Sequence, residues 1–296
     1  MKTCPLLKTL LLAVSMVLVG ACSAIRLGYN NAPAVAYTYL GSKVDFTDEQ
    51  SAFLKASLAE IVQWHRRNEL PRLSREMQQI GQQLALQTPG GSPAPVSTEQ
   101  VRTVWDSVRV SLLNTANHAA PMIASNLLKL NSSQLPEIQA ALDKSNQDYR
   151  DKHLGKDNRE RHEKLVERTT ERYENWLGRL NAIQRTRIEK WAHSEVPQLE
   201  QRFQSRLERQ AEFMKLTRLA SGRQITHAEL SAAVADLLNS WQAPRNAADS
   251  AALEVRQKNA INLAVDVLNA ATQEQRNQAA KRASGWAEDF QVLARS

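Results

Sequence analysis

The sequence predicts an all-α protein, in which long, amphipathic, proline-kinked helices pack as an irregular bundle. Ala, Leu, Gln, Glu and Arg dominate the composition, and the 296 residues include only ten Gly and ten Pro. This composition favours helix over sheet. No run of five or more alternating β-branched or aromatic residues offers a candidate strand. Because a helix-start signature also recurs along the chain, we expect six to nine helices.

The chain begins with residues that are typical of a bacterial lipoprotein signal peptide. Lys2 and Lys8 precede an apolar run, Leu10–Val19. Two small residues separate this run from Cys22. A membrane-spanning helix needs roughly 20 apolar residues, so this run is too short to cross a bilayer. We therefore expect residues 1–21 to be a signal peptide and Cys22 to be lipidated. The alternative is an ordinary secretory signal that happens to contain a cysteine.

Charge and cysteine content agree with an envelope location. In enterobacterial lipoproteins, Asp after the lipidated cysteine retains the protein at the inner membrane. Here Ser23 follows Cys22. By resemblance to those lipoproteins, we expect a lipid-anchored protein on the periplasmic face of the outer membrane. Without the signal peptide, 36 basic and 31 acidic side chains remain. This mild excess suits weak attraction to anionic lipid and is no nucleic-acid footprint. Cys4 leaves with the signal, so we expect no disulfide.

Residues 22–46 are expected to form an anchor and an apolar lead-in segment before a helical body at 47–296. Residues 27–40 contain three tyrosines and no charge. A flexible tether would be rich in Ser, Gly and charge. The segment is therefore expected to pack onto the helical body. The alternative is that it lies at the membrane interface, where tyrosine is favoured.

Six sites along the chain have the pattern of a capping box. An apolar residue precedes Thr, Ser or Asn, and Gln or Glu follows three positions later, where its side chain can reach back to the N-cap amide. The six pairs are Thr47 and Gln50, Ser97 and Gln100, Asn131 and Gln134, Asn181 and Gln184, Thr226 and Glu229, and Thr272 and Gln275. Their spacing is too irregular for a solenoid repeat.

Prolines are predicted to interrupt the helices that these boxes begin. Pro71, Pro121 and Pro197 lie inside otherwise helical stretches, where proline lacks the amide donor and clashes with the preceding turn. Residues 87–98 read as an exposed linker and a possible sub-boundary of the body. Residues 158–192 combine an apolar line with many paired charges, which indicates a solvated face or, alternatively, a surface that grips a partner. The predicted core includes Phe53, Leu54, Leu58, Ile61, Trp64, Leu177, Trp191 and Trp241.

The sequence offers no catalytic pattern, so we expect a protein that is not an enzyme and needs no cofactor or metal. It has no nucleophile elbow, phosphate-binding glycine loop or dinucleotide fingerprint. None of the six histidines is three or four residues from another, so no helical turn presents two histidines to a metal.

The strongest local candidate for partner binding lies around Pro71, between Trp64 and Arg72. Trp64, Arg66, Arg67 and Arg72 are residue types that often anchor interfaces. We expect the proline kink to direct these side chains together. The alternative is structural, with Trp64 buried and the arginines placed at a helix end, where they offset the helix dipole.

Several motifs resemble a family of Gram-negative lipoproteins of unknown function across essentially the whole mature chain. They include Arg26-Leu27-x-Tyr29-Asn30, Val44-Asp45-Phe46, Trp64-His65-Arg66-Arg67-x-x-Leu70-Pro71, Glu208-Arg209-Gln210 and Gln273-Glu274-Gln275-Arg276. The resemblance implies an all-helical lipoprotein that faces the periplasm, and it implies no activity. A fainter similarity links the Thr- or Asn-x-x-Gln helix starts to small periplasmic stress chaperones.

These observations favour a non-catalytic envelope protein that binds other envelope proteins or unfolded chains through a helical surface. The alternative is a carrier of lipid or another small ligand, with an apolar groove between helices that residues 27–40 could line. We expect the membrane to be a partner through the Cys22 lipid, and we expect no nucleic acid or metal to bind.

Overall fold

The computed structural model describes residues 24–240, 242 and 247–296, and within them the all-α prediction is confirmed. Residues 24–30 are helical and lead into eleven further α-helices. These are α1 (Ala32–Gly41), α2 (Asp48–Asn68), α3 (Leu70–Ala85), α4 (Thr98–Leu128), α5 (Leu135–Tyr149), α6 (Asn158–Leu177), α7 (Ala182–Glu195), α8 (Leu199–Ser221), α9 (His227–Asn239), α10 (Ala247–Asn269) and α11 (Gln273–Arg295). Cys22 and Trp241 lie outside the described residues.

All six predicted capping boxes form. At the start of α2, the Thr47 hydroxyl accepts from the Gln50 amide at 3.3 Å, and the Gln50 side chain accepts from the Thr47 amide at 3.0 Å. The Asn131 box precedes a short 3-10 turn, Ser132–Gln134, that runs into α5. The boxes were predictable because they depend only on residues three positions apart.

Four of the capping glutamines also form two buried pairs that the sequence pattern did not predict. The Gln50 and Gln134 side-chain amides donate to each other's carbonyl oxygens, at 3.1 and 2.9 Å. Gln275 donates to Gln184 in the same way, at 3.1 Å. Each pair joins two helix starts that are far apart in sequence, so the same side chains fix local helix ends and tertiary contacts.

The prolines act in two different ways. Pro71 lies in the first turn of α3, so α2 ends at Asn68 and a new helix starts two residues later. Pro197 lies in a 3-10 turn, Val196–Gln198, between α7 and α8. Pro121, in contrast, is inside the continuous helix α4. The eleven helices exceed the expected six to nine partly because two of the proline sites separate helices.

Two main groups of buried side chains form the core. One gathers residues of α4, α5, α8 and α9, including Ala124 and Leu230. The other gathers residues of α3, α6, α7, α10 and α11, including Ile188 and Val267. Of the described residues that were predicted to be core, Leu54 and Leu177 are buried. The others are half-buried: Phe53, Leu58, Ile61, Trp64 and Trp191.

The linker region is tied to the C-terminal helices. The backbone of Val96 exchanges two hydrogen bonds with the Asn269 side chain, at 2.8 and 2.9 Å. The guanidinium of Arg276 donates to the Ala94 carbonyl. The division of the chain into domains stays a prediction. None of the described helices is long and apolar enough to cross a membrane.

Candidate functional site

The residues that were predicted to bind a partner lie where the lead-in segment docks onto the body. The Tyr29 hydroxyl is 2.8 Å from His65 Nδ1, and the Arg66 guanidinium donates to Asn30 Oδ1 at 2.9 Å. Arg66 also donates to the hydroxyl of Ser296, the last residue, at 2.9 Å. The two sequence motifs Arg26-Leu27-x-Tyr29-Asn30 and Trp64-His65-Arg66-Arg67 therefore contact each other.

One further ion pair completes this arrangement, which we call the N-terminal clamp. Arg26 Nε lies 2.6 Å from the carboxylate of Asp289 on α11. Asp289 is almost completely buried, so its charge depends on this partner. The clamp thus joins three parts of the chain, and its members are Arg26, Tyr29, Asn30, His65, Arg66, Asp289 and Ser296.

Burial in the clamp perturbs two ionisable groups. Burial raises the pKa of Tyr29 to about 12, although the nearby Arg66 charge opposes the rise. Burial also lowers the pKa of His65 below its usual value, against the opposing effect of Glu69. Both shifts favour the neutral forms, so at neutral pH the Tyr29–His65 contact joins two uncharged groups.

The other predicted site residues lie in different environments. Arg72 contacts both Glu69, at 3.2 Å, and Glu76, at 2.5 Å, and it donates to the backbone carbonyl of Ser107 on α4 at 3.1 Å. Trp64 stacks on His118, with ring centroids 4.4 Å apart. Arg67 alone is exposed, and it donates only to the carbonyl one turn earlier.

The expected convergence of the arginines is therefore wrong. Arg66 is buried towards the lead-in segment, whereas Arg72 contacts the neighbouring helix α4. Pro71 begins a new helix, so Arg66 and Arg72 belong to separate helices with separate neighbours. A partner-binding role for Trp64, Arg66, Arg67 and Arg72 stays a prediction.

The lead-in segment packs through one face only. On the inner face, Tyr37 donates to the Ser51 hydroxyl at 3.2 Å, in addition to the clamp contacts. On the outer face, Leu27, Val35 and Tyr39 are 63%, 64% and 60% exposed. The predicted packing is observed, and an apolar surface remains beside the position where the chain continues towards Cys22.

A cavity of about 590 Å³ lies between helices from both core groups. Its apolar lining includes Trp105, Tyr149, Leu237, Ala252, Leu253 and Ala260, and its charged lining includes Glu195, Arg202, Arg206, Glu208, Arg209, Glu212, Asp249 and Arg256. We call it the arginine cavity, because α8 and α10 bring four arginines to its wall.

Two of these arginines are engaged by the protein. Arg202 forms an ion pair with the buried Glu195, whose other oxygen accepts from Asn259 at 2.8 Å. Arg206 donates to the side chains of Asn146, at 3.0 Å, and Ser145, at 2.7 Å. These contacts fix two guanidinium groups in place.

The other two arginines lack such contacts. No hydrogen bond or ion pair joins Arg209 or Arg256 to another described residue. Burial lowers the pKa of both arginines, and the neighbouring charges of Arg206 and Arg202 lower it further, whereas carboxylates of the wall, including Asp249, oppose the shift. The protein therefore holds two partly desolvated cations that have carboxylates nearby and donate no hydrogen bond to them.

Unsatisfied polar atoms concentrate in the same wall. Eleven buried side-chain atoms of the described part of the chain lack a hydrogen-bond partner, and five belong to residues that line the cavity. They are Trp191 Nε1, Gln198 Oε1, Arg202 Nε, Gln242 Oε1 and Arg256 Nε. Buried polar groups are normally paired, so such a concentration indicates room for a polar ligand.

Sequence reasoning missed this cavity, although one signal was present. Arg202, Arg206 and Arg209 follow a spacing of four and then three residues, which places them on one face of a helix. Like charges at that spacing destabilise a helix by themselves. The contributions of α4 and α10 come from distant parts of the chain, and no local pattern reveals them.

Comparison with known proteins gives one result. A family of unknown function (DUF6279) matches residues 42–243, which is more than half of the chain. The chain belongs to this family. No curated protein and no solved structure matches it. The family match includes α8, which supplies three of the four cavity arginines, and it ends before α10, which supplies the fourth.

The described residues hold no group of three His, Cys, Asp or Glu side chains that could bind a metal ion. His162 and His193 come within 6.1 Å between ring centroids, and no third such side chain completes a set. Within the described part of the chain, the arginine cavity is therefore the arrangement that offers the most groups for ligand binding.

Proposed function

We propose that the protein is a lipid-anchored, non-catalytic binding protein of the cell envelope, which holds a small ligand in the arginine cavity. The observation that carries the proposal is the concentration of unsatisfied polar atoms in the wall of this cavity. Its volume of about 590 Å³ lies within the range of roughly 300–1,000 Å³ that is typical of small-molecule sites. The cavity therefore favours the ligand-carrier hypothesis over the hypothesis that the protein binds other proteins.

The composition of the wall supports the same function. Apolar side chains such as Trp105 and Leu253 lie beside eight charged side chains, so the wall can contact both the apolar and the charged parts of a ligand. Each unsatisfied buried donor or acceptor costs about 1–3 kcal/mol. A ligand that satisfies even two of them would therefore gain affinity without any rearrangement of the helices.

A cavity-filling variant tests the binding function. Ala260→Phe adds a ring at the cavity wall, while Ala52→Phe adds the same ring at an exposed position on α2. Native mass spectrometry of purified wild-type protein should show a bound small molecule, which Ala260→Phe loses and Ala52→Phe keeps. Retention of the molecule by Ala260→Phe would place it elsewhere and reject the proposal.

We also propose an outer-membrane location that faces the periplasm, with Cys22 as the lipid anchor. The exposed apolar face of the lead-in segment supports this, because it begins a few residues after Cys22 and suits contact with lipid. Fractionation of cells that express wild type or Cys22→Ala is the test. We expect only the variant in the soluble periplasmic fraction, and equal release of both proteins would reject the anchor.

A chaperone-like role is the second candidate, and one observation favours it. Trp105, Val108 and Leu112 are exposed large apolar residues on one side of α4. Exposed apolar surface of this kind can contact unfolded chains. Under this hypothesis, the purified protein suppresses aggregation of a denatured client, and Val108→Ser with Leu112→Ser abolishes the effect. Unchanged suppression by the double variant would reject this surface.

A further inference from the structure

The arginine cavity contains a set of hydrogen-bond donors that await an acceptor. Trp191 Nε1, Arg202 Nε and Arg256 Nε are buried N–H groups without a partner. An indole or guanidinium nitrogen of this kind can donate but not accept. The ligand atoms that pair with these three groups must therefore be acceptors, such as the oxygens of a carboxylate or phosphate group, whereas Gln198 Oε1 and Gln242 Oε1 can accept from a donor of the ligand.

The pairing of the charged side chains around the cavity also favours an anionic ligand. Among the four acidic residues in the wall, Glu195 is already paired with Arg202. Glu212 lies 3.5 Å from Lys215, and Glu208 is exposed to solvent. Asp249 has an interaction of its own, in addition to its longer-range attraction for Arg209 and Arg256. Arg209 and Arg256 thus remain available to a ligand that brings negative charge.

The geometry of arginine suits such a ligand. A planar guanidinium can donate two parallel hydrogen bonds to one carboxylate or phosphate group. In the clamp, the corresponding donors of Arg66 are used by Asn30 and Ser296. In the cavity, those of Arg256 have no acceptor among the described residues.

Part of the remaining wall is apolar, and an inorganic anion would leave that part unfilled. Trp105, Leu237 and Leu253 present large apolar groups to the cavity, and Ala252 and Ala260 leave space beside them. A volume of about 590 Å³ is far larger than one phosphate ion requires. A chain or ring that extends from the anionic group would fill this volume and bury apolar surface.

We infer that the arginine cavity binds an amphiphilic anion, whose carboxylate or phosphate group contacts Arg209 and Arg256. Its apolar part lies against Trp105 and Leu253. This inference rests on the proposed ligand-binding function and specifies the chemistry of the ligand. A fatty acid and an alkyl phosphate share that chemistry, and their relative affinities distinguish them.

Binding is measured with four probes: decanoate, decyl phosphate, decanol and inorganic phosphate. The chain that starts at Ser23 is used, because it keeps every described residue. Trp105 and Trp191 line the cavity, so intrinsic fluorescence reports occupancy, and calorimetry gives the dissociation constant. At least one of the two alkyl anions should bind about tenfold more tightly than decanol, the gain expected for one charge-assisted hydrogen bond. The tighter of the two anions identifies the preferred head group.

Four arginine variants test the contacts of the anionic group. Arg209→Gln and Arg256→Gln should each weaken the alkyl anion about tenfold. Arg256→Lys keeps the charge and should restore part of the affinity. Arg159→Gln removes an exposed arginine of α6 outside the cavity and should leave these affinities unchanged. A thermal melt of each variant establishes that it is folded before its affinity is compared.

The outcomes separate this inference from the proposed function. If decanol binds as tightly as the anions and Ala260→Phe abolishes its binding, the cavity is a ligand site but the anionic specificity is wrong. If phosphate alone matches decyl phosphate, the apolar part of the inference is wrong. If no probe binds, or if Ala260→Phe leaves every affinity unchanged, the cavity is not the site of an amphiphilic anion.

Discussion

Buried arginines in two regions of this protein have opposite surroundings. Arg276 is almost completely buried at the start of α11, and it donates to the Leu268 and Ala94 carbonyls and to Asn269. Arg256 in the arginine cavity donates to no described residue from its buried Nε. Burial lowers the pKa of both. The comparison teaches that burial of an arginine does not indicate its role, whereas the satisfaction of its donors does.

The N-terminal clamp belongs with Arg276 in this comparison. Arg66 is 7% exposed, and its Nε lacks a partner as that of Arg256 does, but both of its terminal nitrogens have acceptors within the protein. The sequence motif around Arg66 therefore has an evident structural use, which is to hold the lead-in segment and the C-terminus together. Arg209 and Arg256 in the cavity have no such contacts among the described residues.

The largest expected effect separates the two arginines directly. Arg276→Met should lower the free energy of unfolding by about 3 kcal/mol, because it leaves several buried carbonyl oxygens without donors. Arg256→Met should change it by less than about 1 kcal/mol in either direction, since a partly buried charge that donates no hydrogen bond to a described residue disappears. Urea unfolding measures both values. Equal losses in the two variants would break the comparison.

A smaller effect is expected in the clamp. Arg66→Met should cost about 2 kcal/mol of unfolding free energy, because Asn30 and Ser296 lose a charged donor. Arg67→Met, at the exposed neighbouring position, should change stability by less than about 0.5 kcal/mol. Urea unfolding of the matched pair checks this. If the two variants are equally stable, the clamp contributes nothing to the fold.

The clamp should also respond to pH through His65. Burial lowers the pKa of His65 in the folded protein, so the unfolded chain binds more protons in the interval between the folded pKa and the unfolded value of about 6.5. The contribution of neutral His65 to the free energy of unfolding is therefore complete above the unfolded pKa of about 6.5. It is lost as the pH falls from that value through the lower pKa of the folded protein. Unfolding of wild type and His65→Gln at pH 7.5 and pH 5.5 should show a smaller acid loss for the variant. An identical loss would exclude His65 as a source.

The smallest stability effect is expected on the outer face of the lead-in segment. Val35→Ser should change the unfolding free energy by less than about 0.5 kcal/mol, because Val35 is 64% exposed. The same face should nevertheless contact the membrane in the lipidated protein. A fluorophore on Val35→Cys should be quenched by lipid-borne quenchers in vesicles, and one on Ile183→Cys, equally exposed on α7, should not. Equal quenching at the two positions would contradict membrane contact by this face.

The sequence predicted more of the fold than of the candidate site. Capping and proline effects act over three or four residues, so Thr47, Asn181 and Pro71 could be placed correctly from the sequence. Burial of Trp64 was only partly correct, because the extent of burial depends on neighbours such as His118 on another helix. Arg66 and Arg72 looked like one surface in the sequence, although different helices position them.

What the sequence by itself determined is local: the all-α class, the six capped helix starts and the interruption at Pro71. Tertiary structure decided the rest, because it depends on which distant residues meet. Gln50 reaches Gln134 and Gln184 reaches Gln275 across more than 80 residues. Packing likewise gives Arg66 its acceptors and leaves Arg209 and Arg256 without them. Helix propensity is a property of neighbouring residues, whereas the pairing of a buried charge is a property of the assembled fold.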